Sequence, residues 1–142
     1  MWTGGSWSHV GIAWVFDHRL FIIEAKEFRG VEIRAVSEAI PCDWIQTGAN
    51  WTKTVEELAM DKLGKAYSYK DCIKVGLGLK PNHNDRVCSV YAATILRASG
   101  VKVPDKPQTP QSLVSYLLDT GCPLRTILDK PLHQGVGSSI TL

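Results

Sequence analysis

Residues 8–36 carry three apolar runs joined by connections only a few residues long, and this spacing limits the fold more tightly than any other feature. Residues 8–16 (SHVGIAWVF) and 20–26 (LFIIEAK) are rich in β-branched and aromatic side chains and flank the polar turn Asp17-His18-Arg19. Residues 31–36 (VEIRAV) follow Arg29-Gly30 and alternate apolar with charged side chains, the pattern of a strand with one wet face. A parallel crossover needs about a dozen residues or more, so connections this short leave antiparallel neighbours. The expectation is a three-stranded antiparallel meander opening an α+β domain, with a fourth strand around residues 43–47, after Pro41.

The remainder reads as helices and their connections. Thr54 and Glu57 fit a capping box, with Val55, Leu58, Ala59 and Leu63 as an apolar stripe and Gly64 as its end. Residues 66–79 suit a turn and a short helix carrying Cys72, dissolved by Gly76 and Gly78. Those glycines lack the Gly-Lys-Ser/Thr or GxGxxG context of a nucleotide loop. Residues 82–100 open on the cap formers Asn82, Asn84 and Asp85, place Val87, Val90, Tyr91, Ile95 and Leu96 at helical spacing, and close on Gly100. Residues 101–110 hold three of the seven prolines and read as an extended surface connection. Thr109 is an N-cap followed by Pro110 at the first helical position, opening a helix through Asp119 that Gly121 closes. Cys122-Pro123 and LRTILD suit an edge strand, and residues 130–142 show no periodicity, as a mobile tail or partner-binding arm would. One domain over residues 1–129 followed by a tail over 130–142 is expected, without internal repeats.

Composition narrows the function classes. A formal charge of +2 gives no electrostatic footprint for nucleic acid or an anionic membrane. No run of about 18 apolar residues indicates a membrane span, and MWTGGSWSHV lacks the basic and apolar regions of a signal peptide. The sequence does not fix the cellular address; with no signal peptide visible, the cytoplasm and a virion are the settings considered. Cys42, Cys72, Cys88 and Cys122 stand 30, 16 and 34 residues apart, with no CxxC pair and no zinc spacing, so free thiols and no metal or other cofactor are expected. His83, five residues before Cys88, reads as a loop histidine. The five tryptophans Trp2, Trp7, Trp14, Trp44 and Trp51 read chiefly as packing residues, with an acyl or glycan groove as the other use.

Cys88 falls in the first turn of its helix if Asn84 or Asp85 is the cap. Unpaired backbone N–H groups and the positive end of the helix dipole there favour a thiolate. A lone cysteine in a helix is otherwise a small core residue. An activated one needs a base and a group to orient that base. His9 in the first strand and Glu24, which interrupts FIIEA, are the candidates, because a carboxylate among buried residues is costly without a partner. They share a face of an antiparallel hairpin only if opposed residue numbers sum to an odd value. A two-residue loop, Asp17-His18, sets Glu24 opposite Gly11 and diagonal to His9; a four-residue loop sets it opposite His9; a three-residue loop separates the two. In such a triad the thiolate attacks a carbonyl, the imidazole carries the proton, and the carboxylate fixes the imidazole tautomer. The backbone N–H of Cys88 is by position a donor for the oxyanion.

The stretches WTGGSWSHVGIAW, FIIEA, GVEIR, GKAYSYKD, RVCSVYAATILRASGV and TPQSLVSYL together resemble the permuted papain-like hydrolases of the NlpC/P60 superfamily, in particular the YiiX/YebB-like branch. The chain order His, Glu, Cys suits a circular permutation of the papain-like order. The resemblance implies an antiparallel sheet packed against a cysteine-bearing helix. It implies Cys88 as nucleophile, His9 as general base and acid, Glu24 as the residue orienting it, and Tyr67 as an oxyanion donor. The implied activity is hydrolysis of amide or ester bonds through an acyl-enzyme, with cell-wall peptides as the preferred substrate. Two departures stand out. The Gly-Asp strand that usually precedes the histidine strand is not seen, which leaves a sheet edge absent or supplied by a partner, and Val90 stands where Cys-Ser-Glu is usual. Two other roles fit the same residues: a structural or assembly subunit, as in a phage tail tip, docking through the N-terminal edge or the C-terminal tail, and a thiol acyltransferase.

Overall fold

A computed structural model describes residues 7–26, 29–65, 87–105 and 109–127. Within them the architecture is α+β with antiparallel sheets, and the order is β1 (Ile12–Phe16), β2 (Arg19–Lys26), β3 (Gly30–Ala35), a 3-10 turn (Val36–Glu38), β4 (Cys42–Ile45), α1 (Lys53–Met60), α2 (Val87–Ala98), α3 (Pro110–Asp119) and β5 (Leu124–Ile127). The meander forms as expected, in spatial order β1-β2-β3. Its first connection is the two-residue one. Phe16 opposes Arg19, and Asp17 and His18 take left-handed φ values of 48° and 60°, a type I′ geometry whose twist matches the strands it joins.

That register assigns the faces. Ile12 opposes Ile23 and Ala25 opposes Val31, and these four are at most 1% exposed. With Val10 they form the sheet's contribution to the core. Ile22, Glu24 and Lys26 alternate onto the other face, with Glu32 and Arg34 of β3 beside them.

The α2 helix is buried almost all round, from Val87 to Leu96 with Thr94 alone half-exposed. A one-sided apolar stripe would suit a surface helix, whereas α2 is central: it packs on β2 and touches both α1 and α3. Ala92 and Ala93, short enough to admit close neighbours, fill the positions that a surface helix gives to polar residues. Gly100 (φ 88°) closes α2: its N–H donates to Arg97 O and that of Val101 to Leu96 O, a Schellman motif. Gly121 and Cys122 close α3 in the same way on Leu118 O and Leu117 O. At its other end Thr109 and Ser112 form a reciprocal capping box ahead of Pro110, so the expected α3 forms with its expected limits.

Three expectations need correction. The α1 cap is Thr52, whose Oγ1 accepts from Val55 N, not Thr54. Tertiary bonds fix where the chain enters the helix: Asn50 N–H donates to Ser99 O, and the Trp51 indole donates to Glu56. The α1 stripe is also narrower than read. Val55 and Ala59 are buried against α2, whereas Leu58 and Leu63 are exposed, because the helix ends at Met60 and touches the core along one line. The strand expected over 43–47 runs over Cys42–Ile45 and pairs with β5 as a separate two-stranded sheet. The asparagine and aspartate proposed to cap α2, the short helix over 66–79 and the tail over 130–142 lie outside the described residues.

Candidate active site

His9 lies three residues ahead of the β1 ladder, so it extends from the opening hairpin and is not fixed within the sheet. Glu24 is in the middle of β2 and fully buried, with Cβ against the backbone of Gly11 across the hairpin. Cys88 is the second described residue of α2 and is 4% exposed. His9 Nε2–H donates to Glu24 Oε2, and the Cys88 side chain lies near enough to the imidazole to raise its proton affinity. With Nε2 committed to the carboxylate, Nδ1 is the ring nitrogen left to serve the sulfur. The structure therefore brings together three of the four residues singled out, in the order sulfur, imidazole, carboxylate. Tyr67, like His83, lies outside the described residues.

Electrostatics reinforce the arrangement. The His9 imidazole is raised to about 9, first by the Cys88 side chain and then by Glu24, against a burial effect that opposes the charged ring. Burial alone would push the Glu24 carboxyl upward, but the bonds to His9 and Arg34 outweigh it and hold the group down at about 2. Near neutral pH His9 is an imidazolium facing an ionised Glu24.

Two cations absent from the sequence reading complete the surroundings. Arg34 Nη2 donates to Glu24 Oε2 (3.3 Å) and its Nε is ion-paired with Oε1, while Lys26 Nζ stands 3.3 Å from Oε1 and also pairs with Glu32. The Lys26 ammonium is pushed up, mainly by Glu32. The alternation of VEIRAV signals that Glu32 and Arg34 share a face, but assigns that face to water. The β2–β3 register turns it toward Glu24 instead.

Cys42, Cys88 and Cys122 are free. Burial, then Asp43, pushes the Cys42 thiol up, the opposite of activation. Trp7, Trp14 and Trp51 spend their indole N–H groups on Asp43 and Glu56, which makes them braces between elements. Among the described residues no group of three or more His, Cys, Asp or Glu side chains could hold a metal ion, and no helix is long and apolar enough to cross a membrane. Chemically, a sulfur beside an imidazolium that is oriented by a carboxylate can act as a nucleophile with an acid next to it. No protein-family model, curated protein or solved structure matches the chain.

Proposed function

We propose that the chain is a thiol-dependent hydrolase of amide or ester bonds, built on a circularly permuted papain-like fold of the NlpC/P60 type. One observation carries the reading: the His9 ring is hydrogen-bonded to the buried Glu24 carboxylate and has the Cys88 side chain as its other close neighbour. In the reaction the Cys88 sulfur attacks the substrate carbonyl carbon, forming a C–S bond and a tetrahedral oxyanion. Collapse breaks the bond to the leaving amine or alcohol, which takes its proton from the His9 imidazolium. Water then gives a proton to His9 as its oxygen attacks the thioester carbonyl, and the sulfur leaves with the imidazolium restored. Glu24 keeps a proton on Nε2 throughout, so that Nδ1 faces the reacting groups.

Peptide amides of the bacterial cell wall are the preferred substrate class, by resemblance. The test is release of stem-peptide fragments from purified peptidoglycan, with Cys88→Ala and His9→Ala as variants and trapping of a thioester on Cys88 by mass spectrometry. Loss of about a hundredfold or more in both variants is expected, and full activity in Cys88→Ala ends the proposal. Product formed on an added amine in place of water assigns the same thioester to an acyltransferase. An inert protein that co-purifies with a large assembly assigns the fold to a structural role.

A further inference from the structure

Across the β2–β3 ladder Glu24 directly opposes Glu32, a like-charge pairing that by itself weakens a sheet. Lys26 answers part of this by pairing with both carboxylates. Its contact with Glu24 is to Oε1 alone. Arg34 does something different. Its Nη2 donates to Oε2, the oxygen that also accepts from His9, and its Nε is ion-paired with Oε1 without donating to it, so the guanidinium bonds one oxygen and sets its charge against the other. The third guanidinium nitrogen, Nη1, donates to the backbone carbonyl of Glu38 (3.2 Å), which anchors the fork from the 3-10 turn.

We propose that Arg34 is a positioning residue that bonds Oε2 of Glu24, sets its charge against Oε1, and so keeps the His9 proton on Nε2 and Nδ1 turned to Cys88. The inference deepens the hydrolase reading and rests on it for its catalytic consequence alone. A carboxylate beside a mobile ammonium can swing about its last torsion, whereas a rigid guanidinium anchored on Glu38 O and bonded to Oε2 holds both its orientation and its charge. The groups facing Glu24 are His9 from the segment before β1, Lys26 on β2, and Glu32 and Arg34 on β3, with Cys88 of α2 beyond the imidazole. Without Arg34, two carboxylates share Lys26, and a Glu24 that is 0% exposed tends toward the neutral acid. A protonated Glu24 donates to Nε2 instead of accepting from it. The ring's remaining proton then moves to Nδ1, and the lone pair turns away from the sulfur.

Nitrogen-15 NMR of the histidine rings in the full chain, without substrate, reads this directly in wild type, Arg34→Met, Arg34→Lys and Lys26→Met, with His9→Gln to assign the signal. Arg34→Met is expected to lower the His9 midpoint by about one pH unit and to move its neutral form toward the Nδ1–H tautomer. Arg34→Lys should fall between, because an ammonium keeps the charge but lacks the rigid plane that joins Oε2 to the Glu38 carbonyl, and Lys26→Met should stay near wild type. On substrate, Arg34→Met should lower kcat about tenfold with little change in KM. An unchanged tautomer and midpoint in folded Arg34→Met overturns the proposal, as does a Lys26→Met effect of equal size. Should Arg34→Met fail to fold, Arg34→Lys decides alone, and a wild-type tautomer and midpoint there rule out positioning by the guanidinium. Failure of the hydrolase reading registers separately, as cleavage that survives Cys88→Ala.

Discussion

His9 draws its raised proton affinity from two neighbours of opposite location, a sulfur on the central helix and a carboxylate inside the sheet. The proposed leaving-group acid is the imidazolium, so kcat/KM on an amide substrate should fall as pH rises through about 9, the value to which His9 is raised. That limb belongs to the coupled group and not to one residue. A flat profile from pH 7 to 10, measured at fixed ionic strength, would contradict the assignment. Glu24→Gln tests the other side of the ring. The amide cannot hold the imidazolium as the carboxylate does, and it leaves Arg34 and Lys26 without their shared anion. Turnover should drop at least about tenfold while KM moves little, and an unchanged kcat would remove Glu24 from the mechanism. At this scale the sequence was generous with the three residues proposed for the mechanism and silent on Arg34. A sulfur, an imidazole and a misplaced carboxylate are chemically conspicuous in a string of letters. An arginine alternating with valine and isoleucine is not, because its role depends on which face of which strand it meets.

The hairpin and the central helix impose requirements of their own. A Cβ on Gly11 would lie 2.5 Å from Ile22 Cγ2 and 3.3 Å from Glu24 Cβ. Ile22 is β-branched and stiff at χ1, so the strain passes to the strand that carries Glu24. Gly11→Ala should therefore lose about 1–3 kcal/mol of stability, read as a lower denaturation midpoint in urea. Wild-type stability would mean that β1 and β2 can part without cost. In α2 the Tyr91 hydroxyl donates to Ala59 O at 2.6 Å, serving one of the last carbonyls of α1, which has no partner within its own helix. Burial raises the Tyr91 hydroxyl and keeps it a neutral donor over the working pH range. Tyr91→Phe strands that buried carbonyl and should cost about 1–3 kcal/mol, measurable by the same urea titration. The limits of α3 were readable because Thr109, Pro110 and Gly121 act through local geometry. The α1 cap was misplaced because two threonines compete there, and bonds to Ser99 and from Trp51 choose between them.

For the whole molecule the same charges set a pH window. His9 is raised above its ordinary 6.5, so its contribution to stability is complete below pH 6.5, declines above it, and is gone once pH passes about 9. Glu24 is lowered from 4.5, so its contribution is complete above pH 4.5 and is lost as pH falls through about 2. Thermal unfolding should therefore give a Tm plateau between about pH 4.5 and 6.5, with a fall on each side. In His9→Gln the alkaline fall should shrink. An alkaline fall of wild-type size in that variant would show that other groups govern it.

The order of apolar runs, the short connections and the helix caps determined the α+β class, the antiparallel meander and the limits of α3, because those signals act between residues near in sequence. Residue chemistry nominated Cys88, His9 and Glu24 and left three hairpin registers open. Only tertiary structure chose the two-residue turn that faces Glu24 toward Gly11, sank α2 into the core, and turned Arg34 onto the carboxylate. Each of those outcomes depends on what lies across a strand or beneath a helix, where residues far apart in the chain decide burial and charge together.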